Sequence, residues 1–312
     1  MRRHTCSDGL SPVVAIGLAT AALLNLTCSN PTSPTTTVII PPRLGVTRIL
    51  AFGDSITEGE VPAPGEFPAA IARGVRSKYV EPDRSYPADL TTLLSQRYTV
   101  QGASRVDAFI FILGSDDNDC TPDPPAPTAS GIVVINAGCL GAQANDPKTL
   151  MRLQDKIRAY QPDVLLLLMG VNDLNDEFPA TSISNGVQGV QTLIGVGRSH
   201  GLPVMVGTLL PEIAADLTHG GAPDLIVPFN TQLVPAATNA GARVVDLYSD
   251  IAKDVTDWIS PYDGLHPTEA GYQEMARVWL NSIQHAFELP RGSSVTTGVP
   301  VHPGTGARLR PE

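Results

Sequence analysis

The sequence predicts an α/β fold with a central parallel sheet of about five strands and helices on both faces, and three observations support this. Short, almost continuously apolar runs rich in Leu, Val and Ile recur at residues 48–52, 132–135, 164–169, 204–206 and 243–247, each bounded by turn residues. Runs of that length without alternation suit strands covered on both faces. Helical candidates at 87–97, 147–160, 184–199, 223–240 and 268–287 fall between and after them, and strand, helix, strand repeated in this way builds a parallel sheet. Composition agrees: 42% apolar against 17% charged residues can fill a large core, and residues 45–288 are enough for one such domain.

The charge balance limits the partners. The chain has 312 residues, with 21 Lys and Arg against 31 Asp and Glu, a formal charge of -10. Phosphate-backbone binding needs clustered cations, so a nucleic-acid partner is not expected. Aromatics at 5%, with two Trp, argue against a single-strand reader built on stacking platforms.

The first segment reads as an export signal. Arg2, Arg3 and His4 precede a charge-free apolar stretch over 13–26, the order of a secretory signal occupying residues 1–27; the stretch is short for a membrane-spanning helix. Cys28 stands where cleavage would fall, ahead of a Pro/Thr-rich tether at 28–44. This resembles a bacterial lipoprotein signal, which would attach the chain to a membrane through a lipidated Cys28. That pattern has Leu three residues before the Cys and Gly, Ala or Ser directly before it. Here those positions hold Asn25 and Thr27, so plain secretion stays open beside lipidation. Export leaves Cys120 and Cys139 as a candidate disulfide in an oxidising compartment, where closing so short a loop contributes about 3 kcal/mol. No Cys-x-x-Cys or His-Glu-x-x-His spacing occurs, so neither metal nor cofactor is expected.

Taken in order, the predicted elements end on residues with chemical potential. The first run leads directly into Gly53-Asp54-Ser55-Ile56-Thr57. The carboxyl edge of a parallel sheet is where ligands bind, and Ser55 on a tight turn there suits a nucleophile, although a serine capping a helix fits the same letters. A long interruption at 58–85 follows, with charges at Glu58, Glu60, Glu66, Arg73, Arg76, Lys78, Glu81, Asp83 and Arg84 that do not suit an apolar lid. A second, at 101–131, carries Asp116, Asp117, Asp119 and a Pro-rich run, with an extra strand candidate at 108–113. Loops this long tend to be functional or mobile. The second run ends in Asn136-Ala137-Gly138-Cys139-Leu140-Gly141 and the third in Gly170-Val171-Asn172-Asp173, two turns on the same edge as Ser55 that supply amide donors. Gly197-Arg198-Ser199-His200-Gly201 satisfies a Gly-x-Ser-x-Gly pattern, but a helix precedes it and a strand follows, the reverse of a nucleophile elbow. After the fifth run comes Asp263-Gly264-Leu265-His266-Pro267, in which an acid three residues before a histidine can orient its imidazole. The last helix follows, with Thr268 as its cap and Glu269 in its first turn. Asp216 and His219 share the same spacing, so spacing alone does not choose between the two pairs. Residues 289–312, rich in Gly, Pro, Ser and Thr, read as a disordered tail.

These four segments, in this order, resemble the SGNH (GDSL) hydrolase family over residues 45–288. Gly-Asp-Ser-Ile-Thr is similar to its first block, Gly-x-Asn-Asp to its third and Asp-Gly-Leu-His-Pro to its last. The resemblance implies a flavodoxin-like three-layer fold, with Ser55 as nucleophile, His266 as general base and Asp263 as its orienting acid. It also implies an oxyanion hole made of the Ser55 backbone, Gly141 and the Asn172 side chain, with Gly138 the alternative to Gly141. The implied enzyme is a serine esterase, expected as a monomer, that hydrolyses small-molecule or glycan esters through an acyl-Ser55 intermediate. Short acyl groups such as acetyl on carbohydrate are favoured by export and the acidic charge. Acyl transfer at the same site, lysophospholipase or thioesterase activity, and a non-catalytic binding protein are the other readings.

Overall fold

The computed structural model describes residues 42–61, 84–98, 131–175, 179–214 and 223–289. The signal segment, Cys28, most of the tether, most of 58–85, nearly all of 101–131 with its strand candidate and Cys120, the Asp216/His219 pair and the tail from 290 onward lie outside them.

Five parallel strands form the sheet: β2 (Arg48–Gly53), β3 (Val133–Ala137), β4 (Val164–Leu168), β5 (Val204–Gly207) and β6 (Arg243–Val245). They lie in the order β3-β2-β4-β5-β6, so the chain first steps from β2 to β3 on one side and then crosses to β4 on the other. That reversal at β2 is the topological switch point, where the loops leaving adjacent strands diverge and open a crevice. Every residue of β3, β4 and β5 is buried, which explains why these strands are mostly apolar without an alternating pattern.

Two helical layers cover the sheet. The helices α2 (Tyr86–Arg97) and α8 (Glu269–Phe287) pack together on one face, and α3 (Pro147–Tyr160), α4 (Pro179–Ser199) and α5 (Pro223–Asn239) on the other. Their starts follow local chemistry. Asp146 accepts from Lys148 N ahead of α3, whose first residue is Pro147, and Thr268 accepts from Gly271 N ahead of α8. The helix expected at 184–199 begins earlier, at Pro179, a residue whose missing N–H costs nothing in a first turn. α5 runs through Pro228 and Pro235.

Some elements went unforeseen. The apolar run expected to extend to residue 247 breaks at Asp246, which accepts from Ser249 N and so starts a short helix, α6 (Leu247–Ile251). A further turn, α7 (Val255–Trp258), leads toward the His266 loop. A two-residue ribbon pairs β1 (Arg43–Leu44) antiparallel with β7 (Glu288–Leu289). There Arg97 Nε and Nη2 and Tyr98 Oη donate to the Glu288 carboxylate at 2.9, 2.9 and 2.7 Å. Residues 288–289, expected to border a disordered tail, are therefore ordered against the start of the domain.

Candidate active site

β2 ends at Gly53, and α1 (Ser55–Glu58) begins at once. Asp54 is the cap: its Oδ1 accepts from Ile56 N at 3.0 Å. Ser55 is thus the first helical residue rather than the cap. Its N–H therefore has no intrahelical acceptor and is available to a ligand. The side chain, only 3% exposed, points to the imidazole of His266 with Oγ 2.8 Å from Nε2.

His266 comes from the loop ahead of α8. A turn from Asp263 through Gly264, whose φ is 72°, lets Asp263 Oδ1 accept from the backbone N–H of Leu265 and His266 at 3.0 and 3.2 Å. The other oxygen, Oδ2, lies 2.6 Å from His266 Nδ1. With Nδ1–H donated to Asp263, Nε2 faces Ser55 as the proton acceptor, the relay order that nucleophilic catalysis requires. All three side chains are buried. Burial alone would lower the imidazole pKa, but the Glu60 and Asp263 carboxylates outweigh it and raise it to about 10.

Two loops supply the donors. Asn172, just beyond β4, donates from Nδ2 to Ala142 O at 3.0 Å, and Gln143 Nε2 donates to the Asn172 carbonyl at 3.2 Å. Beneath them Asp173 accepts from Ala144 N and Asn145 N at 2.7 and 3.1 Å, so one acid clamps the loop that carries Gly141. Burial raises the Asp173 carboxyl to about 6. Of the two candidate glycines, Gly138 is engaged elsewhere. Its N–H donates to Asn136 Oδ1 at 3.0 Å, and a Cβ on it would stand 2.1 Å from Glu58 N, so it is a glycine because two backbones meet there. Gly141 has a left-handed φ of 70° and an N–H without a hydrogen-bond partner among the described residues.

The pattern of the GDSL-like Lipase/Acylhydrolase family matches residues 126–274, a span that contains Gly141, Asn172, Asp263 and His266. That span is a GDSL-like lipase/acylhydrolase segment. Ser55 precedes the matched span, and the fold brings it onto His266. A multidomain esterase of Ruminococcus flavefaciens is 25% identical across 98% of this chain, which spans 37% of that relative's length. The crystal structure of a lipase/acylhydrolase from Enterococcus faecalis is similar in fold, with a TM-score of 0.52 at 18% identity, over 77% of this chain and 97% of that one. An acetylxylan esterase from Geobacillus stearothermophilus aligns over 76% of this chain and 94% of its own, with a TM-score of 0.49 at 17% identity.

The site also holds residues that the motifs did not single out. Arg152 of α3, expected only as part of a helix, donates from Nη1 to Ala137 O at 2.7 Å and from Nη2 to Gly53 O at 3.0 Å, with its guanidinium 4.0 Å above the Phe52 ring. It therefore ties together the last carbonyls of β2 and β3. Burial lowers it to about 10 while Glu58 and Asp54 oppose, so it is a cation at neutral pH. Glu58 and Glu60, which open the interruption at 58–85, are buried at 4% exposure each, and Glu60 Oε2 lies 3.1 Å from His266 Nε2. Burial raises the carboxyls of Asp54 to about 7, Glu58 to about 8 and Glu212 to about 7. Both Glu212 oxygens are buried without a hydrogen-bond partner among the described residues. No motif pointed to Glu212, because only the fold brings the segment after β5 to the imidazole. Cys139 is disulfide-bonded, and its partner lies outside the described residues. Ser199 of the Gly-x-Ser-x-Gly pattern is exposed at the end of α4, where its Oγ donates to Val196 O at 2.8 Å, ahead of β5 and so at the opposite edge of the sheet.

Proposed function

We propose that this chain is a serine-dependent carboxylic ester hydrolase, and the observation that carries the proposal is the continuous buried relay Ser55 Oγ, His266 Nε2, His266 Nδ1, Asp263 Oδ2 at 2.8 and 2.6 Å. As Ser55 Oγ bonds to the ester carbonyl carbon, its proton passes to Nε2. The developing oxyanion takes hydrogen bonds from the Ser55 and Gly141 N–H groups and from the Asn172 amide. Collapse breaks the bond to the alcohol, which leaves with the proton from Nε2. Water then attacks the acyl-Ser55 with His266 again as base, and the acid product departs.

Small acyl groups on a polar, hydroxyl-bearing alcohol are the substrates we favour. The support is electrostatic: Glu60 and Glu212 stand beside the imidazole, and a buried carboxylate is a poor neighbour for an alkyl chain but a good acceptor for a hydroxyl. Export is part of the same proposal. The basic and then apolar N-terminal segment supports it, as does the disulfide at Cys139, since such bonds persist outside a reducing cytoplasm; Cys28 is the candidate anchor.

The test is hydrolysis of p-nitrophenyl esters from acetate to a long-chain acyl by the wild type and by Ser55→Ala. Turnover that needs Ser55 and falls steeply with chain length is the expected outcome. Wild-type turnover in a folded Ser55→Ala protein would end the proposal.

A further inference from the structure

Glu60 stands against the atom through which the proposed mechanism moves its proton. Its Oε2 is 3.1 Å from His266 Nε2, the same nitrogen that lies 2.8 Å from Ser55 Oγ. A carboxylate only accepts, and an imidazole that has given its Nδ1–H to Asp263 presents only a lone pair at Nε2. Two acceptors at that separation in a buried site repel each other unless a proton lies between them.

The backbone, not chance, places this carboxylate. Gly59, at a φ of 109°, ends α1 and turns the chain back. The Glu60 N–H then donates to Ser55 O at 3.0 Å, and its carbonyl accepts from Tyr272 Oη of α8 at 2.7 Å. Among the described residues, the other charged groups facing the imidazole are acids from three further elements: Asp263 from its own loop, Glu212 from the segment after β5 and Asp54 from the turn after β2. Arg152 acts on Glu58 and Asp54.

We propose that Glu60 is a further catalytic residue, which competes with Ser55 for His266 Nε2 and holds a proton there in the substrate-free site. The inference rests on the hydrolase reading for its consequence, though not for its chemistry. One proton must first leave Nε2 for solvent. The neutral nitrogen then takes the Ser55 proton as the Oγ–C bond forms, and the imidazolium so produced is held between two carboxylates. When the C–O bond to the alcohol breaks, that proton goes to the departing oxygen. Glu60 therefore stabilises the charged intermediate and, by the same interaction, limits the fraction of enzyme whose base is ready.

The pairing is tested in the full chain by following the imidazole nitrogens by NMR against pH in Ser55→Ala and in Ser55→Ala/Glu60→Gln, with His266→Gln to assign the signal. The expected result is a His266 midpoint well above the ordinary 6.5. Glu60→Gln should lower it by about one pH unit or more, a tenfold change in proton affinity. The acid limb of kcat/KM should move down in parallel in the single Glu60→Gln variant, whereas a merely structural role would reduce turnover without moving that limb. A midpoint that the Gln variant leaves unmoved overturns the proposal. Should that variant fail to fold, a midpoint near 6.5 in Ser55→Ala alone overturns it, and one near 10 sustains it. A raised, Glu60-dependent midpoint without serine-dependent hydrolysis would sink the esterase reading and sustain the proton competition.

Discussion

The Asn172 amide has two hydrogens, and among the described residues one is committed, to Ala142 O at 3.0 Å. The bond to Ala142 fixes the side-chain rotamer, and the bond from Gln143 to the Asn172 carbonyl fixes the backbone, so the second hydrogen is held in place before substrate arrives. A preorganised donor of this kind acts on the charge that develops during attack, more than on the neutral ester that binds first. Asn172→Ala is therefore expected to lower kcat on the order of 100-fold. KM should stay nearly unchanged, as steady-state kinetics on p-nitrophenyl acetate would show. A loss confined to KM would place Asn172 in ground-state binding instead.

At the scale of elements, the strands and long helices were legible because their signals are local. Fully buried strands need unbroken apolar runs, and residues 147–160 and 268–287 carry their own caps at Asp146 and Thr268. Ser55, Asn172, Asp263 and His266 were legible for a related reason, since each lies in a short contiguous block whose order fixes its sheet edge. Glu60 and Arg152 were not. Glu60 reaches the imidazole only because Gly59 reverses the chain, and Arg152 reaches two strand ends only because α3 packs beneath them. A charge in an apparent loop or on a helix looks solvated until the tertiary contact is known. The glycine ambiguity was of the same kind, because Gly138 and Gly141 differ in what approaches them rather than in sequence. Their difference is measurable. The atom 2.1 Å from a Cβ at Gly138 belongs to the backbone of α1, which cannot yield without moving Ser55 three residues earlier. Gly138→Ala should destabilise the domain by about 1–3 kcal/mol, the range of overpacked sites. It should also depress kcat, read by thermal melting and turnover on the same sample. A fully active, equally stable Gly138→Ala would mean that the β3 and α1 backbones are not in such close contact.

For the molecule as a whole, the crevice at the switch point holds more acid than its buried surroundings can leave ionised at no cost. The carboxyls of Asp54, Glu58 and Glu212 are raised by burial to about 7, 8 and 7, and His266 is raised to about 10 by Glu60 and Asp263 against the effect of burial. Every one of these groups binds its proton more tightly in the folded chain than in the unfolded one. Where the folded state holds more protons, stability falls as pH rises. For the three carboxyls, the loss begins near their unfolded values of about 4 and continues through about 7 to 8. For His266, the contribution is complete below about 6.5 and lost as pH approaches about 10. The four effects share one sign, so the melting temperature should decline steadily from pH 5 to pH 9. Activity should climb over the same range, because His266 must lose a proton before it can act as base. Thermal melts and kcat/KM measured in the same buffers would reveal this opposition. A protein most stable at pH 8 to 9 would show that the buried carboxyls are not held protonated as the fold requires.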